Sequence, residues 1–467
     1  MRKLKFILLI FIITSCSIDD IPIIEEEDEE TEITTEEEKE NIEDGMNFIY
    51  DNLSLAEINL EFSTEEWNKI LMNYDQNPYN EEYISGDCKF SKNGTQYNFN
   101  NIGLRLRGNT SRRRPEGKKG ESHNPTNPDW HHASFSLKTN RFVKGQKIKG
   151  VEKINLKWFK DDAMYVREIY CYELFKRFGV WTAPVSAYCK LSIKIKEDNN
   201  DVYYGIYEMV EPVDSNYLIV RKNKFNDTNG FLWKANWGAD LVNASKSNMN
   251  LENITLTQTY TPVYDLKTNT QNLTLAQNQL ADFITKLNSK SDVDFKSWID
   301  QAMDVPLFLK SYAVNVMCGM WDDYWNNKNN FYLYFDSNSK FYFIPFDYDN
   351  TLGTSLLMTD SGTKDVLNWG NNSYLLVKKI ISIPEYEQLY INYIHELVSS
   401  ENDFFNADKS ISRIKNWQKM ISPYISNDTG EDMSLIDQPA SWGNCSFYRL
   451  LESNNNFFKI RSKNIPE

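Results

Sequence analysis

The sequence has no CxxC pair, no internal repeat and no apolar run long enough to anchor stably across a bilayer. Its six cysteines stand singly, which excludes the paired spacing of a zinc site. Five follow Cys16: Cys88, Cys171, Cys189, Cys318 and Cys445. An odd number cannot all pair internally, and most read as buried thiols, although an exported chain has room for one or two disulfides. A global basic face is also missing. The net charge is −15, but Asp19–Asp44 alone carries −14, and Gly45–Glu467 only −4. The folded part is therefore near neutral, which excludes nucleic acid as an electrostatic partner. Asp19–Asp44 lacks aromatics and repeats one sign of charge, the composition of a solvated tether. The 467 residues, 41% of them hydrophobic, suffice for a large core and two or three lobes.

At the N-terminus, Arg2, Lys3 and Lys5 precede a short apolar run, Phe6–Ile13, the pattern of an export signal. Ile13-Thr14-Ser15-Cys16 resembles a bacterial lipoprotein lipobox. That resemblance implies cleavage before Cys16 and attachment to the membrane through lipid on its thiol. The acidic tract after the cysteine looks like the sorting signal that some Gram-negative bacteria use to send lipoproteins outward. The expectation is an exported outer-membrane lipoprotein at the cell surface, with residues 1–16 as signal peptide and 17–45 as tether. The plainer reading is a secretory peptide with an incidental cysteine.

Further along, Ser63-Thr64-Glu65-Glu66 fits a capping box opening a helix through Tyr74. Ile102, Leu104 and Leu106 alternate with Gly103, Arg105 and Arg107 as a half-buried strand, which runs into Gly108–Ser111 and the basic loop Arg112–Lys119. Phe135 and Leu137, then Ile154 and Leu156, mark two more strands. Asp161 or Asp162 caps a helix to about Phe178, ended by Gly179. Ala187–Lys196 and Val202–Val210 form a hairpin, Glu211-Pro212 breaks it, and Asp214 caps a short helix. Residues 231–235 are a short strand, and 238–275 reads as an insertion without period. Helices come next at about 276–288, 293–303 and 305–320, and again over 383–399, 407–425 and 446–463. The expected fold class is α+β in two lobes, with a strand-rich part (46–235) containing one prominent helix and a mainly helical part (236–467) containing one hairpin.

That hairpin organises the chain. Phe331–Phe335 and Phe341–Phe346 are aromatic strands joined by the polar turn Asp336–Lys340. Antiparallel pairing brings Asn329 and Asn330 close to Asp347 and Asp349, and Asp322 and Asp323 arrive from the helix end just before. Carboxylates and an amide at one hairpin edge suit a hard divalent cation. The same residues are also ordinary turn and cap formers.

The motifs GLRLRGNTSR (103–112), SFSLK (134–138), INLK (154–157), Asp162, Arg167-Glu168, YGIYEMVEPVDSNYL (204–218), NNFYLY (329–334) and FIPFDYDNTLG (343–353) resemble those of the CotH (spore-coat-H) family of secreted atypical kinases. They keep the family's order over about 50–465, although the GxGxxG, HRD and DFG signatures of standard protein kinases are absent. The resemblance implies a two-lobed kinase-like fold and metal-dependent transfer of the ATP γ-phosphate to a hydroxyl, as on a protein Ser or Thr. Arg107, with Asn109 and Ser111 of the following loop, would meet the phosphates. Lys138 or Lys157 would grip them, steadied by Glu168. Glu208 and Glu211 would lie in the hinge against adenine. Asp322 or Asp323 would accept the proton of the hydroxyl. Asn330, Asp347 and Asp349 would hold Mg²⁺ or Mn²⁺. Two other readings stand beside this one. Asp347-Tyr348-Asp349-Asn350-Thr351 matches the DxDxT nucleophile motif of haloacid-dehalogenase-type phosphatases, a fold that needs further parallel strands downstream. Alternatively, a surface lipoprotein keeps the scaffold as an adhesin without chemistry.

Overall fold

The computed structural model describes residues 36–425 and 456–467, except 110, 161, 163, 199–200, 253–261 and 354–361. The export signal, Cys16, most of the acidic stretch, Asp161, Cys445 and the start of the last expected helix lie outside the described residues. Residues 34–467 form one compact unit. The architecture is mixed α+β, with two sheets and twelve α-helices among the described residues.

The first helix, α1 (Glu36–Ile49), overlaps the stretch expected to be a solvated tether. Ile42, Met46 and Ile49 recur at helical spacing and give that acidic segment one apolar stripe. The stripe docks closely. A Cβ on Gly45 would meet the Lys149 carbonyl oxygen at 2.2 Å, and one on Gly150 would meet Ile42 at 2.6 Å.

Seven strands then close a barrel in the order β1-β2-β3-β4-β5-β7-β6. They are β1 (Ala56–Phe62), β2 (Ile84–Lys92), β3 (Thr95–Leu106), β4 (Phe135–Lys138), β5 (Lys153–Lys157), β6 (Ser186–Ile195) and β7 (Val202–Val210). All pairs are antiparallel except β1 with β6, which closes the ring in parallel. Alternation fills the interior: Ile58, Leu60, Ile102, Leu104, Leu137, Ile154, Leu156 and Leu191 are buried in one cluster. Helix α2 (Thr64–Gln76), capped at Ser63 by the Glu66 N–H, adds Trp67 to it.

Helix α3 (Arg167–Arg177) begins later than expected, and Val166 stands at its cap position. Asp162 still serves its first turn, with its carboxylate accepting from the N–H groups of Val166 and Arg167 and pairing with the Arg167 guanidinium at 2.7 Å. Helix α4 (Ser215–Val220) is capped by Asp214.

The second sheet runs β12-β11-β8-β10-β9. Here β8 (Phe231–Ala235) leaves the N-terminal strands and pairs with the hairpin β11 (Phe331–Phe335) and β12 (Phe341–Pro345). The stretch expected to lack regular structure supplies β9 (Met249–Asn250) and β10 (Tyr264–Leu266), too short to leave a periodic signal. One face, with Trp233, Phe331, Leu333 and Phe343, packs on the main core. That core is built with α3, α5 (Leu273–Ser289), α6 (Asp292–Ala302), α7 (Val305–Met317), α9 (Leu375–Ile381), α10 (Pro384–Val398), α11 (Ala407–Ile421) and α12 (Phe457–Lys463). The short α8 (Tyr324–Asn327) precedes the hairpin. No described helix is long and apolar enough to cross a membrane. Cys88, Cys171, Cys189 and Cys318 are buried free thiols.

Candidate active site

The hairpin register is Phe331 opposite Pro345 and Phe335 opposite Phe341, and the Phe346 N–H donates to the Asn330 carbonyl at 3.1 Å. Asn330 and Asp347 therefore meet at one edge. Both adopt left-handed backbone, φ 58° and 61°, a conformation that Asn and Asp tolerate better than other side chains. Helix α3 fixes the segment from Asp347 to Thr351. Asp347 N–H donates to the Tyr172 hydroxyl at 3.0 Å, Tyr348 N–H to Glu168 Oε1 at 3.1 Å, and Arg167 Nε to the Thr351 carbonyl at 3.0 Å.

At the end of β5, the Lys157 ammonium is bonded to Glu168 and Asp347 and lies 3.0 Å from Asp349 Oδ2. Burial works against the lysine's charge, but the three carboxylates outweigh it and hold the ammonium well above its usual range. The Asp347 carboxyl moves the other way. Burial pushes it up, yet Lys157, then Arg107 and Lys234, keep it below the ordinary range. Asp349 rises to about 8, chiefly through burial, reinforced by Asp347 and Glu168. The side chains of Asp347 and Asp349 nonetheless keep 39% and 27% of their surface accessible. These acids are poorly solvated and still reachable from outside.

Glu168, Asp347 and Asp349 offer oxygens within 4.8 Å of one another. An all-oxygen donor set of this kind fits Mg²⁺ or Mn²⁺. Asn330 donates its amide N–H to Asp322 Oδ2 at 3.0 Å, which leaves the amide oxygen as its ligating atom.

The two candidate bases are placed differently. Asp323 is buried as the N-cap of α8, accepting from Asn326 N–H at 2.8 Å and from Asn315 Nδ2 at 2.6 Å. Burial lifts its carboxyl to about 6. Asp322 is bonded to Asn327 and Asn330, with its carboxyl raised by burial and by the charge of Asp347. Of the two, Asp322 belongs to the cluster and Asp323 to the scaffold.

Other expected site residues divide in the same way. Lys138 lies opposite Gly103 and Lys153, in a different row of the barrel from Lys157, whose ammonium is the one that gathers the acids. Glu208 is the cross-strand partner of Lys157. Burial and the Glu168 charge beside it keep its carboxyl protonated well above the usual range. Glu211 spends its carboxylate on Arg221, at 2.6 and 2.7 Å, and on the Val185 N–H, so its side chain is structural rather than nucleotide-binding. Arg107 sits at the end of β3, and its charge reaches Asp347. Asn109 and Ser111 occupy the turn just beyond, closed by Arg112 N–H to the Asn109 carbonyl at 3.1 Å. The basic loop after it is not a free cationic patch. Arg112 bonds the carbonyls of Gly108, Pro78 and Asn80, and Arg114 pairs with Asp75 at 2.9 Å.

Lys234 of β8 escaped sequence reading. Its place depends on the pairing of β8 with a strand about a hundred residues away, and no local pattern marks it.

A family model described as "CotH kinase protein" matches residues 104–459, most of the chain. No curated protein matches it.

Proposed function

The chain belongs to the CotH kinase family, and from that premise we propose that it is an ATP- and divalent-metal-dependent phosphotransferase acting on a hydroxyl, with a protein Ser or Thr as acceptor. One observation carries the reading: a single buried lysine from the barrel ties the α3 glutamate to the acids after the hairpin. Phosphoryl transfer needs a cation fixed against the phosphates and carboxylates fixed against a metal, because catalysis is mostly positioning and charge stabilisation.

In this reading the barrel with α3 acts as the small lobe, the second sheet with its helices as the large one, and nucleotide lies between. Lys157 contacts the phosphates, and Glu168 holds it there. Glu208, neutral and adjacent, adds no further negative charge. The β7 end at Glu208–Val213 receives adenine through its backbone. Asn330, Asp347 and Asp349 hold Mg²⁺ or Mn²⁺, which when bound neutralises phosphate charge. Asp322 orients the acceptor hydroxyl. As the new acceptor O–P bond forms and the bond from Pγ to the β–γ bridging oxygen breaks, the hydroxyl proton passes to the Asp322 carboxylate and ADP leaves.

The phosphatase reading needs its first Asp at the end of a strand within a parallel sheet. Here β12 is the edge strand of the second sheet and pairs antiparallel with β11.

The test is transfer of label from γ-labelled ATP by the purified chain with Mg²⁺ or Mn²⁺, to itself and to an acidic protein acceptor. Labelling is expected, and Asp347→Ala should abolish it. No label, with no ATP-dependent rise in melting temperature, would leave a binding protein on this scaffold.

A further inference from the structure

Three cations act on Asp347: Lys157, Arg107 and Lys234. Lys157 already meets three carboxylates. Neither Arg107 nor Lys234 forms a salt bridge with any described residue, although their neighbours do. Arg105 and Arg112 pair with Glu81, at 2.6 and 3.3 Å, and Lys267 pairs with Glu252 at 2.9 Å and with Asp265. Both are half-exposed, and with no carboxylate bonded to either they are open to an anion beside the acidic cluster.

Their positions say which part of the anion each would meet. Arg107 comes from the barrel, on the strand side that leads toward Glu208. Lys234 comes from the second sheet, in the row Asp265–Lys234–Tyr332–Ile344 across β10, β8, β11 and β12, where Asp265 is taken by Lys267. The next row, Ala235–Phe331–Pro345, borders the edge where Asn330 and Asp347 sit. Lys234 lies opposite Tyr332, one strand over and two residues along from Asn330, the residue bonded to Asp322, and on the same face of the sheet. Burial and then Lys267 lower the affinity of Lys234 for its proton more than Glu252, Asp265 and Glu81 raise it, and an approaching phosphate would work against that loss.

We propose that Lys234 binds the terminal phosphate of the nucleoside triphosphate, from the sheet wall of the cleft, on the side of the acceptor hydroxyl. This rests on the phosphotransferase reading above. Lys234 holds the phosphate that moves, while Lys157 holds those that stay with the nucleoside.

The test measures Kd for ATP and ADP, each with Mn²⁺, on the wild type, Lys234→Ala and Lys234→Arg. Losing one charge-assisted phosphate contact should weaken ATP about tenfold or more and ADP by less than about threefold, with Arg restoring most of the ATP affinity. Melting temperatures without nucleotide check the fold, and Lys234→Gln replaces the alanine variant if that one fails to fold. Equal ATP affinity in wild type and variant overturns the proposal, and so does equal loss of ATP and ADP. A wild type that binds neither nucleotide overturns the phosphotransferase reading itself.

Discussion

Lys138 and Lys157 end two neighbouring strands with the same alternation, both pointing away from the barrel core, and from sequence they are equivalent. What separates them is not local. Lys157 lies opposite Glu208 of β7 and against α3, whereas Lys138 is one strand nearer β3 and level with Lys153. Removing the Lys157 ammonium leaves Glu168, Asp347 and Asp349 facing one another without the one cation bonded to all three. Lys157→Met should therefore lower phosphoryl transfer by about a hundredfold or more, while Lys138→Ala should stay within about threefold of wild type. Steady-state transfer rates at saturating metal distinguish the two. A large loss in Lys138→Ala with Lys157→Met near wild type would make Lys138 the working lysine. The neighbouring acids Asp322 and Asp323 posed the same difficulty. Only the α8 cap, a matter of backbone direction after residue 323, separates them: Asp323 holds that cap, and Asp322 bonds Asn330.

Among the elements, the loop from Arg112 to His131 departs most from its sequence reading. Its first part, Arg112–Lys119, reads as a basic loop, yet Glu116 there and His123 just beyond it are buried. The His123 ring lies between Glu116, 2.9 Å from Nδ1, and Asp198, 3.0 Å from Nε2, with Trp130 tilted against it. Glu116 also accepts from Trp67 of α2 at 2.8 Å. One imidazolium thus ties the loop to α2 and to the β6–β7 turn. Burial disfavours its charge, but bonds to both carboxylates raise its proton affinity above the free value. The stabilisation is fully present below the unfolded pKa of about 6.5 and is lost as pH rises through the higher folded one. Melting temperature should fall over that alkaline interval in the wild type and stay flatter in His123→Gln. Parallel curves would remove the imidazolium from this role. The hairpin, by contrast, was legible almost to the residue, because two aromatic runs around a polar turn admit little else. Helix α1 and strands β9 and β10 were not, the first hidden by its acidity and the others by brevity.

For the molecule as a whole, the family match begins at residue 104, but the barrel does not. Strands β1 and β2 and most of β3 precede that residue, and β1 is what joins β2 to β6. A chain starting at Leu104 would leave β6 and β4 as open edges and expose the barrel core to water. It should be insoluble or melt without cooperativity, whereas a chain starting at Glu36 should melt as the full chain does. Calorimetry on the two compares them directly, and a cooperative transition in the shorter one would show the first strands to be dispensable. The matched region marks where the chain resembles its relatives, and the fold extends beyond it. The acid-bearing segment is held just as completely. Tyr172, Glu168 and Arg167, all from α3, bond its backbone at Asp347, Tyr348 and Thr351, and Leu352 N–H reaches the Cys318 carbonyl at 2.8 Å. Inhibitors that work by prying such a segment outward and occupying the space behind it would have to break all four bonds together. Compounds that meet the accessible carboxylates of Asp347 and Asp349 from outside are the better starting point for a chemical probe of this protein.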